Sequence, residues 1–186
     1  MSDKVRSDSS KNRIKRSVLV SLFTAIIAIC SFISVPSAVP FTLQTLGIFT
    51  ALTVLGGKLG TICIALYIFI GLVGVPVFSG FGAGIGHLTG ATGGFILGFI
   101  ICGFCYWIIT KIFGNKTVIK AVGLVAGLLL CYVFGTLWYT AFYLKAFNPS
   151  DFLTTLKICV LPFIIPDLIK LGVAIIIDKK LSQTIR

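Results

Sequence analysis

Glutamate is absent from this chain of 186 residues, and acidic residues of any kind are scarce. Five aspartates stand against 16 lysines and arginines; charged residues make up 11% of the chain and hydrophobic residues 57%. A soluble domain carries about 25% charged residues, so this composition indicates a membrane protein with several spans rather than a water-soluble protein. The net charge of +11 does not indicate nucleic-acid binding, because the cations cluster at the ends of apolar segments.

The sequence also lacks the residue patterns on which most catalysis depends. It contains no Gly-x-x-x-x-Gly-Lys-[Ser/Thr] phosphate loop, so it does not hydrolyse ATP by that route. It has one histidine, no paired carboxylates and no cluster of metal ligands. The six cysteines lie in apolar segments, where cysteine usually packs as a small hydrophobic residue. The Cys102-x-x-Cys105 spacing has no second pair beside it. We therefore expect no enzyme activity, no metal and no cofactor.

Apolar segments divide the chain into a basic N-terminal segment, residues 1–16, and a membrane domain, residues 17–186. A basic stretch before an apolar one is also typical of a signal peptide. Because five further apolar segments follow, we interpret the first apolar segment as an uncleaved span. We predict an all-α membrane protein, a bundle of six transmembrane helices with ordered outer loops. The predicted spans cover residues 17–35, 44–57, 60–77, 92–112, 118–144 and 156–178.

Two of these spans have unusual features. The span 44–57 is short for a helix that crosses a hydrocarbon layer of about 30 Å. We expect this span to tilt little, to thin the bilayer or to lie behind other helices. The last span follows Asn148 and Pro149. A capping asparagine before a proline at the first helical position is typical of a helix start.

The distribution of lysine and arginine predicts that both termini lie in the cytoplasm. In that orientation most of the 16 cations fall in cytoplasmic segments, including Lys111, Lys116 and Lys120 around the cytoplasmic ends of the fourth and fifth spans. Lys145 and Lys157 are the two cations on the outer side of the membrane. This asymmetry follows the rule that cytoplasmic loops carry the excess of positive charge.

Two outer loops, residues 36–44 and 76–94, are expected to be ordered. The second is rich in glycine, which permits positive φ and close backbone approach. Irregular backbone at membrane depth persists only where it is buried in protein or lines a cavity. We interpret both loops as lids over an outward-facing cavity; the alternative for the first is an ordinary turn between helices.

The best candidate for a functional site is the pair Asp167 and Lys170, inside the apolar run 160–177. Charged side chains at membrane depth are costly and usually functional, and residues three apart share one face of a helix. The alternative is a structural ion pair that neutralises itself. His87, the only histidine, is a weaker candidate, because an isolated histidine in a loop is usually not a ligand.

Small residues recur at four-residue spacing on the first span. Such strips let another helix approach closely. Here they indicate either packing within the protein or a docking face for a partner membrane protein. The residues concerned are Ser17, Ser21 and Ala25, with Thr24 and Ala28 beside them.

Five segments of the sequence follow one another in a distinctive order. They are Val39-Pro-Phe-Thr-Leu-Gln-Thr45, Leu55-Gly-Gly-Lys-Leu-Gly60, Tyr67-x-x-x-Gly71-x-x-Gly74-x-Pro-Val-Phe78, Thr92-Gly-Gly-Phe-x-x-Gly-Phe99 and Pro166-Asp-x-x-Lys170. Taken together, they resemble the BioY family, the substrate-binding S components of energy-coupling factor (ECF) vitamin transporters. The resemblance covers residues 18–180. One segment, Gly90-Ala91-Thr92-Gly93-Gly94-Phe95, departs from the usual Gly-Pro-Thr-Gly-Gly-Tyr of the family and so lacks a rigid turn and a phenol.

The resemblance implies six transmembrane helices, biotin binding near the outer face, and association with a transmembrane coupling protein and two ATPase subunits. ATP is then used by those partners. The small-residue motif that contacts the coupling protein in the family maps onto Ser21, Thr24, Ala25 and Ala28.

For biotin, Asp167 is expected to accept a ureido N–H in a charge-assisted hydrogen bond. Lys170 would reach the ureido carbonyl or, alternatively, the carboxylate tail. Further polar contacts are expected from Gln44, Thr42 and Thr92, and closure over the ring from Phe41, Phe78, Phe81 and Gly93.

Three other functions remain open at this point. The chain could bind another small vitamin, such as thiamine or a lipoate-like acid. It could be a structural subunit without a ligand. It could also be an intramembrane enzyme that uses Cys102, Cys105 or His87.

Overall fold

A computed structural model describes residues 2–35, 41–143 and 149–185, and within them the side chains of residues 10–35, 41–141 and 154–181. The described chain is mostly helical. Two two-residue strands, β1 (Ser34–Val35) and β2 (Phe41–Thr42), pair antiparallel. The helices are α1 (Ser2–Phe32), α2 (Gln44–Leu55), α3 (Gly57–Leu72), α4 (Gly84–Leu88), α5 (Gly93–Phe113), α6 (Thr117–Trp138), α7 (Pro149–Cys159) and α8 (Leu161–Ile185).

Four helical stretches of the described chain are long and apolar enough to cross a membrane, and α2 and α3 are shorter apolar helices. The 12 residues of α2 extend about 18 Å, less than a hydrocarbon layer of about 30 Å. Most of α2 is buried, because α1, α3 and α8 pack around it. The short span therefore lies behind other helices, one of the three arrangements expected for it. The four long stretches are Ser10–Phe32, Gly93–Phe113, Thr117–Ala141 and Thr154–Leu181.

The helix boundaries differ from the predicted spans at both ends of the chain. The helix α1 begins at Ser2, so the basic N-terminal segment continues directly into the first span. The last span consists of two helices, α7 and α8, which meet at Val160. Pro149 is the first residue of α7, as its helix-start pattern predicts. Asn148 and the loop residues 36–40 lie outside the described residues.

Small residues bring α5 and α6 close together. A Cβ atom added to Gly98 would lie 2.9 Å from the sulfur of Cys131, and one added to Gly127 would lie 2.8 Å from the carbonyl oxygen of Cys102. Both distances are too short for a real contact, so only glycine permits this approach. The packing fixes the face of α6 that carries Cys131 and Tyr132.

The glycine-rich segment is ordered. It forms a 3-10 turn, Ser79–Phe81, and the short helix α4. Gly80 and Gly84 have φ of 65° and 75°, in the left-handed region that glycine adopts without strain, and Phe81 has φ of 57°. The amide of Phe78 donates to the carbonyl of Gly82 at 3.0 Å and closes the turn. This segment lies at the same end of the bundle as the start of α2, which we call the loop end.

Lys120 is buried among the helices, although the charge pattern predicts that it is solvated. Lys120 is assigned by that pattern to a cytoplasmic segment, yet it is 4% exposed. Its ammonium contacts the carboxylate of Asp178 at 2.5 Å and the backbone carbonyl of Thr53 at 3.3 Å. Its position one turn inside α6 buries it, because α2 and α8 both reach that level of the bundle. The sequence gives no sign of this pairing, since Lys120 and Asp178 are 58 residues apart.

Candidate functional site

A cavity at the loop end lies between α2, α5, α6 and α8, with α7 and the 3-10 turn at its edge. It contains about 60 Å³ of free space, whereas pockets for drug-sized ligands span about 300–1,000 Å³. Its wall combines a few polar side chains with many apolar ones, the usual composition of a small-molecule site. The lining residues are Thr42, Gln44, Thr45, Ser79, Thr92, Phe95, Ile96, Phe99, Leu128, Cys131, Tyr132, Cys159, Phe163, Asp167 and Lys170.

Asp167 is the polar centre of the cavity and is 3% exposed. Its Oδ1 accepts hydrogen bonds from the Thr45 hydroxyl and the Lys170 ammonium, each at 2.8 Å. Its Oδ2 accepts one from the Tyr132 hydroxyl at 2.6 Å. A carboxylate offers about four acceptor positions, so three are used by the protein and one, on Oδ2, is available to a ligand.

Lys170 lies beside Asp167 because the two are three residues apart on α8. Its ammonium also donates to the carbonyl of Thr42 at 2.7 Å and to the hydroxyl of Thr45 at 3.0 Å. An ammonium has three N–H groups, and all three therefore have partners in the protein. The ring of Phe41 covers the ammonium, with its centroid 4.1 Å away, in a cation–π contact.

The start of α2 places two of these partners. The hydroxyl of Thr42 accepts the backbone N–H of Gln44 at 3.2 Å and so fixes the entry to the helix. That entry directs the Thr42 carbonyl and the Thr45 side chain towards α8. The contacts of the Thr42 carbonyl with Lys170 and of the Thr45 hydroxyl with Asp167 hold the charged pair in a fixed arrangement without a ligand.

A second group of polar contacts begins at Gln44 on the cavity wall. Its amide nitrogen donates to the Tyr67 hydroxyl at 3.0 Å, and that hydroxyl donates to the carbonyl of Val77 at 3.2 Å. The Ser31 hydroxyl donates to the same carbonyl at 2.5 Å. Gln44 is thereby held by α1, α3 and the segment that leads into the glycine-rich loop.

His87 lies at the rim, outside the membrane-spanning helices. Its ring stacks on Phe78 with centroids 5.2 Å apart, and its Nε2 is 3.4 Å from the Thr92 hydroxyl. Partial burial lowers the pKa of His87 below its ordinary value, since charging the ring would cost hydration. Among the described residues there is no group of His, Cys, Asp and Glu side chains that could hold a metal ion.

The residues singled out by sequence fall into two groups. The structure brings Asp167, Lys170, Gln44, Thr42 and Thr92 together in the cavity wall. Phe41 packs at its edge, over Lys170 and against Phe163.

The other three expected contacts lie outside the lining, and their role towards a ligand stays a prediction. Phe78 is buried between Tyr67 and His87. Phe81 is 68% exposed and stacks on Phe32. Gly93 begins α5 against the backbone of Leu88.

Two central residues were missed by sequence reasoning. Thr45 ends the first of the five recognised segments, and its three-residue spacing from Thr42 was the available signal. Tyr132 lies in a continuous apolar run of α6, which by itself gives no sign of a polar contact. Only the packing of α6 against α8 reveals that its hydroxyl meets Asp167.

The small residues of α1 line a separate groove of about 450 Å³ between α1 and α3. Ser21 and Ala25 are exposed and Ala28 is partly buried. Thr24 is buried, its hydroxyl donates to the carbonyl of Val20 at 2.8 Å within α1, and the same hydroxyl lies 3.4 Å from the carbonyl of Cys63 on α3. Apart from Tyr67, the rest of the groove wall is apolar.

The comparisons with known proteins agree with one another. The profile of the BioY family matches residues 2–186. A probable biotin transporter BioY of Pyrococcus horikoshii is 37% identical over 91% of this chain and 98% of its own length. The biotin transporter BioY of Thermotoga maritima is 34% identical over 91% and 97%, and the biotin transporter BioY2 of Lactococcus lactis is 39% identical over 82% and 81%.

One solved structure shares the fold. The crystal structure of the S-component for biotin from an ECF-type ABC transporter superposes with a TM-score of 0.81 over 93% of each chain, at 24% sequence identity.

Proposed function

The chain belongs to the BioY family, and from that premise we propose that it is the membrane subunit that binds biotin for uptake. Its relatives are named as biotin transporters, so the family is one of transport proteins and not of enzymes. The protein is a multi-pass membrane protein. We propose that it captures biotin at the outer face through the cavity at the loop end and delivers it inward.

The observation that carries this function is the arrangement of Asp167 and Lys170 in the cavity wall. A ureido group presents an N–H donor beside a carbonyl acceptor, so it needs an acceptor and a donor side by side. The free acceptor position on Asp167 and the ammonium of Lys170, 2.8 Å from the carboxylate, provide that pair. Hydrogen bonds to a charged group contribute about 1.5–3 kcal/mol each, enough to orient the ring.

We assign Lys170 to the ureido carbonyl because it lies beside Asp167, as the carbonyl lies beside the N–H in a ureido group. Because all three of its N–H groups already have partners, a ligand oxygen must replace one of them. The carbonyl of Thr42 is the partner that can be replaced without disturbing Asp167. The alternative role, binding the carboxylate tail, predicts that biotin amide binds much more weakly than biotin; the ureido role predicts a small difference.

Ligand entry requires the cavity to widen, since its free space of about 60 Å³ is well below that of a typical ligand pocket. The part of the wall that we propose to move is the segment around Ser79 with the stacked rings of Phe41 and Phe163. We propose that this part closes over bound biotin and that Phe78, Phe81 and Gly93 approach the ring in the closed state.

For transport, we propose association with a transmembrane coupling protein and two ATPase subunits, which use the ATP. The groove between α1 and α3 supports this, because Ser21, Ala25 and Ala28 give a partner helix room to approach. We further propose six membrane crossings with both termini in the cytoplasm and no cofactor. The charge asymmetry of the sequence supports that orientation.

Equilibrium binding of labelled biotin to the detergent-purified protein tests the function, with Asp167→Asn as the paired variant. We expect tight binding by the wild-type protein, at least tenfold weaker binding by Asp167→Asn, and a smaller loss in Thr42→Ala, whose backbone carbonyl remains. Competition by unlabelled thiamine or lipoate should fail. Absence of binding by folded wild-type protein would reject biotin, and equal affinity in Asp167→Asn would reject the site.

A further inference from the structure

Two polar junctions join the same three helices at different levels of the bundle. At the loop end, Asp167 of α8 meets Thr45 of α2 and Tyr132 of α6. Further along, Asp178 of α8 meets Lys120 of α6, whose ammonium also reaches the carbonyl of Thr53 on α2. We call the second one the inner junction.

Helix geometry places both aspartates on one face of α8. Eleven residues separate them, which corresponds to three turns, a rotation of about 20° and a distance of about 16 Å along the axis. On α2, the eight residues from Thr45 to Thr53 span about 12 Å. The helices α2 and α8 are therefore tied to each other twice, once beside the cavity and once far from it.

Stability alone is a poor explanation for the inner junction. Lys120 is 4% exposed and Asp178 is 5% exposed, so both charges have lost their hydration. The Oδ1 of Asp178 is buried without a hydrogen-bond partner among the described residues. A buried ion pair is often no more stabilising than apolar side chains of the same volume, although removing one partner is costly. What the pair does impose is one arrangement of the three helices.

A ligand-binding role for the inner junction is not supported. Neither Lys120 nor Asp178 lines a cavity described above. Within the described part of the chain, their side-chain hydrogen bonds are with each other and with the backbone of α2, as expected for a structural tie.

We infer that Lys120 and Asp178 are positioning residues for biotin binding. By fixing how far α2 and α8 are shifted along each other, the inner junction keeps Thr42 and Thr45 in contact with Asp167 and Lys170. It acts on affinity from about 16 Å away without touching the ligand. This inference rests on the proposed function.

The test replaces both charges by apolar residues of similar size, Lys120→Met with Asp178→Leu, which leaves no unpaired buried charge. We expect the double variant to keep its Tm and to bind biotin about tenfold more weakly, within the range typical of coupling between distant sites. The loss of biotin affinity caused by Thr45→Val should be smaller in the double variant than in the wild type, because Thr45 is no longer held against Asp167. Lys116→Met, on an exposed residue immediately before the start of α6, is the matched control and should bind as the wild type does.

A second measurement does not need a ligand. Cys131 and Cys159 line the cavity, so their rate of labelling by N-ethylmaleimide, followed by peptide mass spectrometry, reports on its geometry. We expect faster labelling in the double variant. Absence of biotin binding by the wild-type protein would reject the proposed function. Unchanged labelling of Cys131 and Cys159 in the double variant would reject the positioning role, whether or not biotin binds.

A folded double variant with wild-type affinity and labelling would show that the pair contributes only to packing. If the double variant does not fold, Asp178→Asn takes its place in both measurements. Loss of the fold in both variants would assign the pair to folding and contradict a positioning role.

Discussion

The hydroxyl of Tyr132 lies 2.6 Å from Oδ2 of Asp167, the carboxylate oxygen that Lys170 and Thr45 leave free. The two oxygens therefore have different roles. Oδ1 is held by α2 and by the neighbouring lysine, while Oδ2 is held by α6 and has room for one more donor. Rotation of the carboxylate would break both sets of contacts, so the direction of the free acceptor position is fixed.

Tyr132→Phe should weaken biotin binding about tenfold. The variant removes one hydrogen bond to a charged group, worth about 1.5–3 kcal/mol, but the apolar ring still fills its place, so the loss should lie at the lower end of this range. Equilibrium binding measures the effect. Thr136→Val is the control, because that hydroxyl donates to the carbonyl of Tyr132 in its own helix and not to the cavity. Equal affinity of Tyr132→Phe and wild type would mean that the carboxylate needs no support from α6.

Biotin should protect Cys131 and Cys159 from thiol reagents. Both side chains line the cavity and neither is in a disulfide, so a bound ligand covers them. We expect slow labelling by N-ethylmaleimide in the free protein and at least tenfold slower labelling in saturating biotin. Cys105, partly exposed on another face of α5, serves as the internal control and should react at the same rate in both conditions. Protection of Cys105 alone would place the ligand elsewhere.

The sequence predicts the membrane class and the central pair of the site, and the reason is local. Asp167 and Lys170 stand out because charged residues within an apolar run are rare, and their three-residue spacing guarantees a shared face. The contacts that complete the site are not local. Tyr132 is 35 residues from Asp167, and Thr45 is 122 residues from it.

Distance along the sequence also explains why the burial of Lys120 is not predicted. Near a helix end, a lysine is normally solvated, and only the position of α8 turns it into a buried partner of Asp178. The sequence does not predict the break between α7 and α8 at Val160, for a different reason. Residues on both sides of it are apolar, so the run of hydrophobic side chains continues through a change of helix.

Acidic pH should destabilise the glycine-rich loop through His87. Burial lowers its pKa in the folded protein below the ordinary value of 6.5, so between these two values the unfolded state binds more protons than the folded state. The contribution of His87 to stability is therefore constant above pH 6.5, falls as the pH decreases through that window, and levels off once the folded state is also protonated. Segment 73–94 itself contains no acidic residue, and burial is the cause of the lowered pKa.

Thermal unfolding at about pH 7.5 and about pH 5 checks this dependence, with His87→Gln beside the wild type. The difference in Tm between the two pH values should be smaller in the variant, since glutamine does not titrate in this range. An identical pH response in both proteins would assign the effect to other groups.

Ala25→Leu should separate biotin binding from biotin uptake. Ala25 is exposed on the wall of the groove between α1 and α3, and a leucine there adds bulk where a partner helix would pack. The ligand cavity is lined by other helices, so the affinity of the purified subunit should stay at the wild-type value. Uptake of labelled biotin by cells, and recovery of the coupling protein with a tagged subunit, should each fall at least tenfold. Ser21→Ala keeps the groove open and should behave as the wild type does. Normal uptake by Ala25→Leu would move the partner contact to another face, whereas loss of biotin affinity would show that the groove and the cavity depend on each other.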